Sequence, residues 1–177
     1  YTGNGTQGAS FGCGLSNGPD LIIVKNLDND TASWPVYHSS LGNTQRIYLE
    51  LSASKTTGNN WNNTTPSNVV SMGPNADTNG NNSRMISYCW AETPGVSSFG
   101  EYSGGTPNKQ IDCGFKAAFV LIKRTDSPNV WAIYDSSRGG TKKLVADRSV
   151  VENDSGSIGG DDQNAIEFTS TGFTILE

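Results

Sequence analysis

The pentapeptides Leu21–Lys25 (LIIVK) and Phe119–Lys123 (FVLIK) decide the fold of this chain. Each has four consecutive apolar residues followed by a lysine, and each is followed by a stretch rich in turn-forming residues. An apolar run of this length beside a turn is typical of a strand that is buried on both faces of a sheet. The two pentapeptides therefore predict two central strands, one in each half of the chain.

The sequence around the two pentapeptides is repeated. Three further strings recur in the same order in the second half: Tyr1–Gly3 as Tyr102–Gly104, Cys13–Leu15 as Cys113–Phe115, and Trp34–Gly42 as Trp131–Gly139. Four ordered matches separated only by short insertions and deletions are not expected by chance. We therefore predict two tandem copies of one unit, at residues 1–97 and 98–177.

Strands dominate the expected secondary structure of both copies. Short apolar runs alternate with turns, and no long stretch has the period and the caps of a helix. The predicted strands lie at 10–15, 20–26, 34–38, 46–51, 68–72, 83–92, 110–115, 118–124, 130–135, 142–147, 165–169 and 172–176. These features predict an all-β fold, an antiparallel β-sandwich of jelly-roll type.

The second copy is predicted to lack one strand. The first copy continues after 68–72 into Ser83–Glu92, a stretch of high β-propensity, and the second copy shows no counterpart after 172–176. A sandwich without one strand exposes unpaired backbone groups. We therefore expect the gap to be filled in one of three ways: by sequence downstream of this segment, by a neighbouring copy, or by sharing 83–92 so that both units fuse into one sandwich.

Two tryptophans are expected in the core. Trp34 and Trp131 occupy the same place in the repeated string, and both are expected to be largely buried. Tyr37 and Tyr134 should lie near them, with their hydroxyl groups hydrogen-bonded.

Charge and cysteine content argue against several protein classes. The net charge is -5, and the Lys and Arg residues are scattered, whereas a nucleic-acid-binding surface needs clustered basic residues. No segment has the roughly 20 apolar residues that span a bilayer, so membrane insertion is not expected. Cys13, Cys89 and Cys113 lack the spacing of a zinc site or a disulfide framework. Buried free thiols are expected, with one disulfide as the alternative.

The repeated strings resemble repeat domains of unassigned function in tail-fibre and other virion proteins of marine phages. In the first copy this resemblance extends through Tyr48–Leu51, Trp61–Pro66 and Tyr88–Glu92. It implies a jelly-roll or concanavalin-like sandwich that serves in a virion appendage or decoration. It nominates no catalytic residue.

A sugar-binding site is predicted at Trp61 and its asparagine neighbours Asn60, Asn62 and Asn63. Lectin-type sites place an exposed aromatic ring against the apolar face of a sugar and use amides for the hydroxyls. The alternative is that Trp61 holds its own loop against the sandwich.

Calcium is the only metal for which the sequence offers candidate ligands. Asp77, Asn79 and Asn81 have the alternating oxygen spacing with which an EF-hand loop begins, without its sixth-position Gly and closing Glu. Asp28–Asp30 and Asp161–Asp162 are further oxygen-rich turns. The alternative for all three segments is an ordinary Asx-rich turn.

Catalysis is not predicted. His38 is the only histidine, Asp135 stands at its place in the second copy, and no nucleophile elbow is present. Glu50, Glu92 and Asp147, with Asp135, lie on or beside predicted strands and are candidates for the paired acids of glycoside hydrolysis. The alternative is that these four are solvated charges at strand ends.

The resemblance, taken with the lack of predicted catalytic residues, implies a non-enzymatic phage virion protein, a tail-fibre or capsid-surface module, located in the virion or outside the cell. Its expected role is display or host-surface attachment, with surface glycans as candidate ligands and other virion proteins or copies of itself as partners. No cofactor is expected apart from the calcium named above. The alternatives are a purely architectural capsid decoration protein and a carbohydrate-active enzyme.

Overall fold

The computed structural model describes residues 1–62, 68–152 and 166–176. Antiparallel strands form nearly all of its regular structure, and one helical turn, α1 (Ala76–Asn79), is present. The strands are β1 (Ala9–Gly12), β2 (Leu21–Asn26), β3 (Pro35–His38), β4 (Gln45–Tyr48), β5 (Thr56–Thr57), β6 (Val69–Met72), β7 (Met85–Trp90), β8 (Lys109–Asp112), β9 (Phe119–Lys123), β10 (Trp131–Asp135), β11 (Leu144–Val145), β12 (Ile166–Phe168) and β13 (Gly172–Ile175).

The strands form four antiparallel sheets. The largest has the order β5-β4-β3-β2-β7, and β1 pairs with β6 in a separate two-stranded sheet. In the second half, β11-β10-β9 form one sheet and β12-β13-β8 form another. The hairpin β2-β3 of the first half thus has β9-β10 as its counterpart, because these strands carry the matched strings.

Strand pleating divides the apolar residues of β2 between two clusters. Ile22 and Val24 face Val70 and Met72 of the β1-β6 sheet. Ile23, on the opposite face of β2, belongs to a second cluster. Successive side chains of a strand point to opposite faces, so a continuous apolar run can contribute to two clusters at once.

The second cluster joins the two halves of the chain. It contains Ile23, Val36 and Ile47 of the five-stranded sheet together with Trp131 of β10. The indole Nε1 of Trp131 donates a hydrogen bond of 2.7 Å to the carbonyl oxygen of Tyr48. Trp131 therefore contributes both apolar area and a directed polar contact to the packing between the halves.

A third cluster lies between the two sheets of the second half. Val120 and Tyr134 of β9 and β10 pack against Phe173 and Ile175 of β13. The three clusters therefore link the four sheets in succession, with the five-stranded sheet and β11-β10-β9 as the inner pair.

The predicted all-β, antiparallel class is confirmed. Each of the twelve predicted strand regions overlaps an observed strand, and β5 and α1 are the additions. Asn75 caps α1 by accepting a hydrogen bond from the amide of Asp77, so the helix forms from residues that are typical of turns. Within the described ranges, no helix is long and apolar enough to cross a membrane.

Three finer expectations were only partly met. β2 is a central strand as predicted, but among the described strands β9 is the last of its sheet, contrary to the prediction that it is central. Trp131 is buried, whereas Trp34 is only partly buried. The hydroxyl group of Tyr37 is buried without a hydrogen-bond partner in the described structure, contrary to prediction.

The same hydrogen bond begins the second hairpin strand in each half. The amide of Trp34 donates to Glu50 Oε2 at 3.1 Å, and the amide of Trp131 donates to Asp147 Oδ1 at 2.9 Å. In both cases the acceptor is an acidic side chain sixteen residues later in the sequence. The donor is the backbone amide just before β3 in the first half and the backbone amide of the first residue of β10 in the second.

Candidate functional site

An open groove of about 700 Å³ runs along the outer edge of β7. This volume is within the range of small-molecule binding sites. We call it the β7 groove, and it is lined by Tyr1, Phe11, Gly12, Cys13, Met85, Ile86, Ser87, Tyr88, Cys89 and Trp90.

The groove exists because β7 is the last strand of the five-stranded sheet and its outer edge is only partly paired with the N-terminal segment. Tyr1 and Met85 exchange both backbone hydrogen bonds, at 2.8 and 3.1 Å, so the N-terminal segment pairs with the start of β7. Backbone directions alternate along an antiparallel strand. The backbone groups of Ser87 and Cys89 therefore point to this same edge, beyond Tyr1.

Two aromatic rings stand next to each other on one face of β7. Tyr88 and Trp90 are 44% and 41% exposed, and their ring centroids are 6.2 Å apart with planes inclined by 19°. The alternation of β7 explains this exposure, because Met85 and Cys89 point to the first cluster while Tyr88 and Trp90 point to the other face. The result is an accessible aromatic surface on a regular strand.

A second aromatic pair also lines the groove. Tyr1 and Phe11 stack with centroids 4.5 Å apart and an interplanar angle of 18°. The hydroxyl group of Tyr1 donates to the carbonyl oxygen of Thr78, and burial raises the pKa of this phenol. The ring of Tyr1 is therefore fixed in position and neutral at physiological pH.

The two thiols of the groove, Cys13 and Cys89, make contacts within the first half. Cys13 donates to the carbonyl oxygen of Asn68 at 3.2 Å, and Cys89 lies 3.3 Å from the hydroxyl oxygen of Ser87. Burial raises the pKa of Cys89 above its ordinary value, and burial does the same for Cys113 in the second half. The reactive form of cysteine is the thiolate, so the raised pKa values of Cys89 and Cys113 disfavour nucleophilic chemistry at these two residues. All three cysteines are free.

The structure buries Trp61 and Asn60, the central residues of the predicted sugar-binding site. Trp61 is 4% exposed and packs edge-to-face against Tyr37, with ring centroids 5.6 Å apart. Asn60 is fully buried and accepts a hydrogen bond of 2.6 Å from Arg46 Nη1. Trp61 is a core residue of the first cluster, and its ring faces are not available to a sugar. The asparagines beside Trp61 favoured the prediction of an exposed loop, whereas the indole ring is buried.

The other two predicted sugar ligands are not brought into a site. Asn62 Nδ2 donates to Ser71 Oγ at 3.2 Å, and its Oδ1 accepts from Gln7 Nε2 at the same distance. Asn63 lies outside the described residues. Asn62 therefore connects the Trp61 segment to β6 and to the segment that precedes β1.

The calcium prediction is not supported by the positions of its three residues. Asn79 is buried, its Nδ2 donates to the carbonyl oxygen of Thr6, and its Oδ1 accepts from the amide of Asn4. Asn79 is thus engaged in holding the N-terminal segment, while Asp77 belongs to the first turn of α1 and Asn81 is exposed. Among the described residues, no group of three or more His, Cys, Asp or Glu side chains could hold a metal ion. Asp161–Asp162 lies outside them.

His38 and its counterpart Asp135 have the same structural role. His38 Nδ1 accepts a hydrogen bond of 3.2 Å from the amide of Ser40, and Asp135 Oδ1 accepts one of 3.1 Å from the amide of Ser137. Burial lowers the pKa of His38, whereas hydrogen bonds from the backbone and side chain of Arg138 lower the pKa of Asp135. Each residue caps the turn that follows its strand.

The remaining acidic candidates are also separate from the β7 groove. Glu50 and Asp147 accept the backbone bonds described above, and Glu92 is exposed just after β7. None of the described residues that line the groove is Asp, Glu or His. The arrangement can therefore provide aromatic surfaces and backbone hydrogen bonds to a ligand, and it brings no acidic pair together there.

Tyr88 and Trp90 were not predicted as site residues from the sequence. One signal was available, because a Tyr-x-Trp spacing on a strand places both rings on the same face. The sequence does not show which sheet covers that face, so it did not distinguish an exposed pair from a buried one.

One comparison with known proteins gives a match. A family model described as Domain of unknown function (DUF7483) matches residues 1–177. No curated protein and no solved structure matches the chain.

Proposed function

We propose that this chain, which belongs to the DUF7483 family of unknown function, is a non-enzymatic attachment module that binds surface glycans in the β7 groove. The observation that carries the proposal is the pair of exposed rings of Tyr88 and Trp90 beside that groove. Flat aromatic rings present an apolar surface to the C–H face of a sugar.

The groove also provides polar groups for sugar hydroxyls. Ser87 and Cys89, whose backbone groups point outward, line the groove together with the rings of β7 and the Tyr1–Phe11 stack. Ligand sites typically combine aromatic surfaces with a few fixed polar groups. A linear glycan placed along β7 would contact both kinds of surface.

The composition of the groove favours binding over turnover. Glycoside hydrolysis requires two carboxyl groups that flank the bond to be cleaved. Because the described lining residues include no acid, the carbohydrate-active enzyme is the weaker alternative. The architectural decoration protein remains the other alternative, and the binding experiment below decides between it and attachment.

We further propose that the chain consists of two tandem copies of one unit in a virion appendage or on a capsid surface. Support comes from the matched hairpins β2-β3 and β9-β10 and from their matched capping bonds, such as those made by Glu50 and Asp147. The resemblance of the repeated strings to phage tail-fibre repeats supports the location. Many copies on one particle would raise the avidity of a weak glycan contact.

A glycan array with the intact chain, followed by calorimetry on the best ligand, tests the proposal. Tyr88→Ala and Trp90→Ala should each weaken binding about tenfold or more, since aromatic anchors dominate such contacts. The matched control is Leu144→Ala, which removes an exposed apolar side chain from the second half. Its affinity should equal that of the unmodified chain.

Three outcomes would contradict the proposal. Absence of binding across the array would favour a purely architectural role. Equal loss of affinity in the control variant would indicate nonspecific adsorption to exposed apolar groups. Release of shortened glycans during incubation would indicate the enzyme.

A further inference from the structure

The strands β2 and β9 differ in how their edges are used. β2 pairs with β3 on one edge and with β7 on the other. β9 pairs with β10, and no strand in the described part of the chain pairs with its second edge. The edge of β9 that is free corresponds to the edge of β2 that β7 occupies.

Backbone directions show which groups of β9 face the free edge. The amide of Ser136 donates to the carbonyl oxygen of Ala118 on the β10 side. Since backbone directions alternate, the N–H and C=O groups of Phe119 and Leu121 point away from β10. β9 carries no proline, and its one charged residue is Lys123 at its end, whose ammonium group donates to the carbonyl oxygens of Ser52 and Asn129. The stretch from Phe119 to Ile122 therefore has neither a charge nor a proline to protect the edge.

Apolar side chains beside the free edge are less buried than their counterparts. Phe119 is 60% exposed, whereas Leu21, at the same place in β2, is partly buried and packs against the second cluster. Val24 is completely buried, but its counterpart Ile122 is only partly buried. Every one of these differences has the direction expected if a strand were missing beside β9.

The repeated Tyr-x-Gly string gives independent support. In the first half, a Cβ atom on Gly3 would lie 2.2 Å from the carbonyl oxygen of Gly80, so Gly3 packs directly against the segment that leads into β7. Its amide donates to the carbonyl oxygen of Ser83 at 2.8 Å. At the counterpart Gly104, a Cβ atom would meet nothing within 4 Å. A close-packing glycine thus lacks its neighbour in the second half.

We propose that the free edge of β9 is a socket for an extended segment with the chemistry of β7, supplied by another polypeptide. The segment pairs antiparallel with β9, as β7 does with β2, and adds a fourth strand to the β11-β10-β9 sheet. This mode of recognition is strand addition, in which backbone bonds supply affinity and alternate side chains supply specificity. The proposal does not depend on glycan binding.

The first half predicts the register of the bound strand. Leu21 pairs with Trp90 and Ile23 pairs with Tyr88, so Phe119 should lie opposite an aromatic residue at the Trp90 position. The residue at the Cys89 position should face the third cluster, beside Cys113. The partner segment therefore carries small or apolar residues on one face and aromatic residues on the other.

A synthetic peptide with the sequence of residues 75–92 tests the socket on the intact chain. A fluorescent label reports binding by anisotropy, and a benzophenone-bearing residue at the Trp90 position reports the register. Saturable binding and a cross-link at Phe119 or its immediate neighbours are expected.

Two N-methylated peptides provide a matched comparison, because the Tyr88 amide would face β9 and the Cys89 amide would face away. Methylation at the Tyr88 position should weaken binding about tenfold, and methylation at the Cys89 position much less.

A protein variant tests the same edge from the other side. Phe119→Pro removes an outward N–H at the first residue of β9, where proline is tolerated in edge strands, and Phe119→Thr keeps that N–H. The first variant should weaken peptide binding more than the second. Equal binding of both N-methylated peptides would overturn the proposal. Cross-links at Leu21 would also overturn the proposal, because they would show that the peptide displaces β7. Self-association of the chain would overturn it as well if Phe119→Pro abolished that association and the peptide did not compete with it.

Discussion

The two halves of the molecule begin from nearly the same sequence pattern and reach different degrees of closure. In the first half, β2 is central and Ile22 and Val24 are completely buried. In the second half, β9 has the same apolar pattern and the same hairpin partner, yet it is an edge strand with an exposed Phe119. The pattern LIIVK or FVLIK thus specifies a strand and its hairpin, and burial depends on β7, a strand distant in sequence.

Loss of the tryptophan that joins the halves should give the largest effect. Trp131→Ala removes a buried ring and leaves the carbonyl oxygen of Tyr48 without its donor. We expect the free energy of unfolding to fall by about 3–5 kcal/mol, measured by urea denaturation.

The matched variant in the first half sharpens the comparison. Trp34 is only partly buried and lies under the ammonium group of Lys25, 5.7 Å from the ring centroid. Trp34→Ala should cost roughly 1–2 kcal/mol, from partial apolar burial and a weak cation–π contact. Equal costs for the two variants would show that the halves do not differ at this position.

The two glycines of the Tyr-x-Gly string should respond differently to the same change. Gly3→Ala would place a methyl group 2.2 Å from the carbonyl oxygen of Gly80, so the N-terminal segment would have to shift. We expect a loss of about 1–3 kcal/mol, the usual cost of overpacking. Gly104→Ala meets open space and should change stability by less than about 0.5 kcal/mol. Thermal melts of both variants, compared side by side, provide the measurement. A similar loss at Gly104 would indicate that its surroundings are occupied.

The smallest expected effect concerns the turn caps. Burial lowers the pKa of His38 below its ordinary value, so the unfolded chain binds a proton more readily than the folded one. The stabilising contribution of neutral His38 is therefore complete above about pH 6.5 and is lost as the pH falls through the lower folded pKa. Protonation would also turn Nδ1 from an acceptor of the Ser40 amide into a donor.

Asn at position 38 keeps an acceptor oxygen and does not titrate. Between pH 7.5 and 5.5 the melting temperature of the unmodified chain should fall by about 1–3 °C more than that of His38→Asn. Asp135 has its pKa lowered instead, so the second turn should not respond in this range. If the melting temperatures of the two proteins changed equally with pH, His38 would be excluded as the cause of the pH dependence.

Much of the fold could be predicted from local sequence, for a physical reason. A buried strand needs a short apolar run and a turn needs Gly, Asn, Asp or Pro, and both signals lie within a few residues. Leu21–Lys25 and Phe119–Lys123 were identified on this basis. β5 was missed because Thr56–Thr57 is short and exposed, and α1 because its residues favour turns.

The site could not be predicted in the same way. Exposure of Trp61, Tyr88 and Trp90 depends on which sheet covers each face, and that information is not local. Trp61 has polar neighbours and was predicted to be exposed, but Asn60 beside it is buried, with its Oδ1 accepting from Arg46 and its backbone carbonyl oxygen accepting from Thr78. Tyr88 and Trp90 lie in an apolar strand and were expected to belong to the fold, although no strand covers their rings completely.

Amide hydrogen exchange on the intact chain, followed residue by residue by NMR, tests the central difference between the halves most directly. The amides of Ile23 and Leu121 occupy matched positions, and the first faces β7 while the second faces the free edge of β9. Ile22 and Val120, which face their hairpin partners, serve as internal references. We predict strong protection for Ile22, Ile23 and Val120 and fast exchange for Leu121. Protection of Leu121 equal to that of Ile23 would show that the edge of β9 is already occupied and would contradict the account.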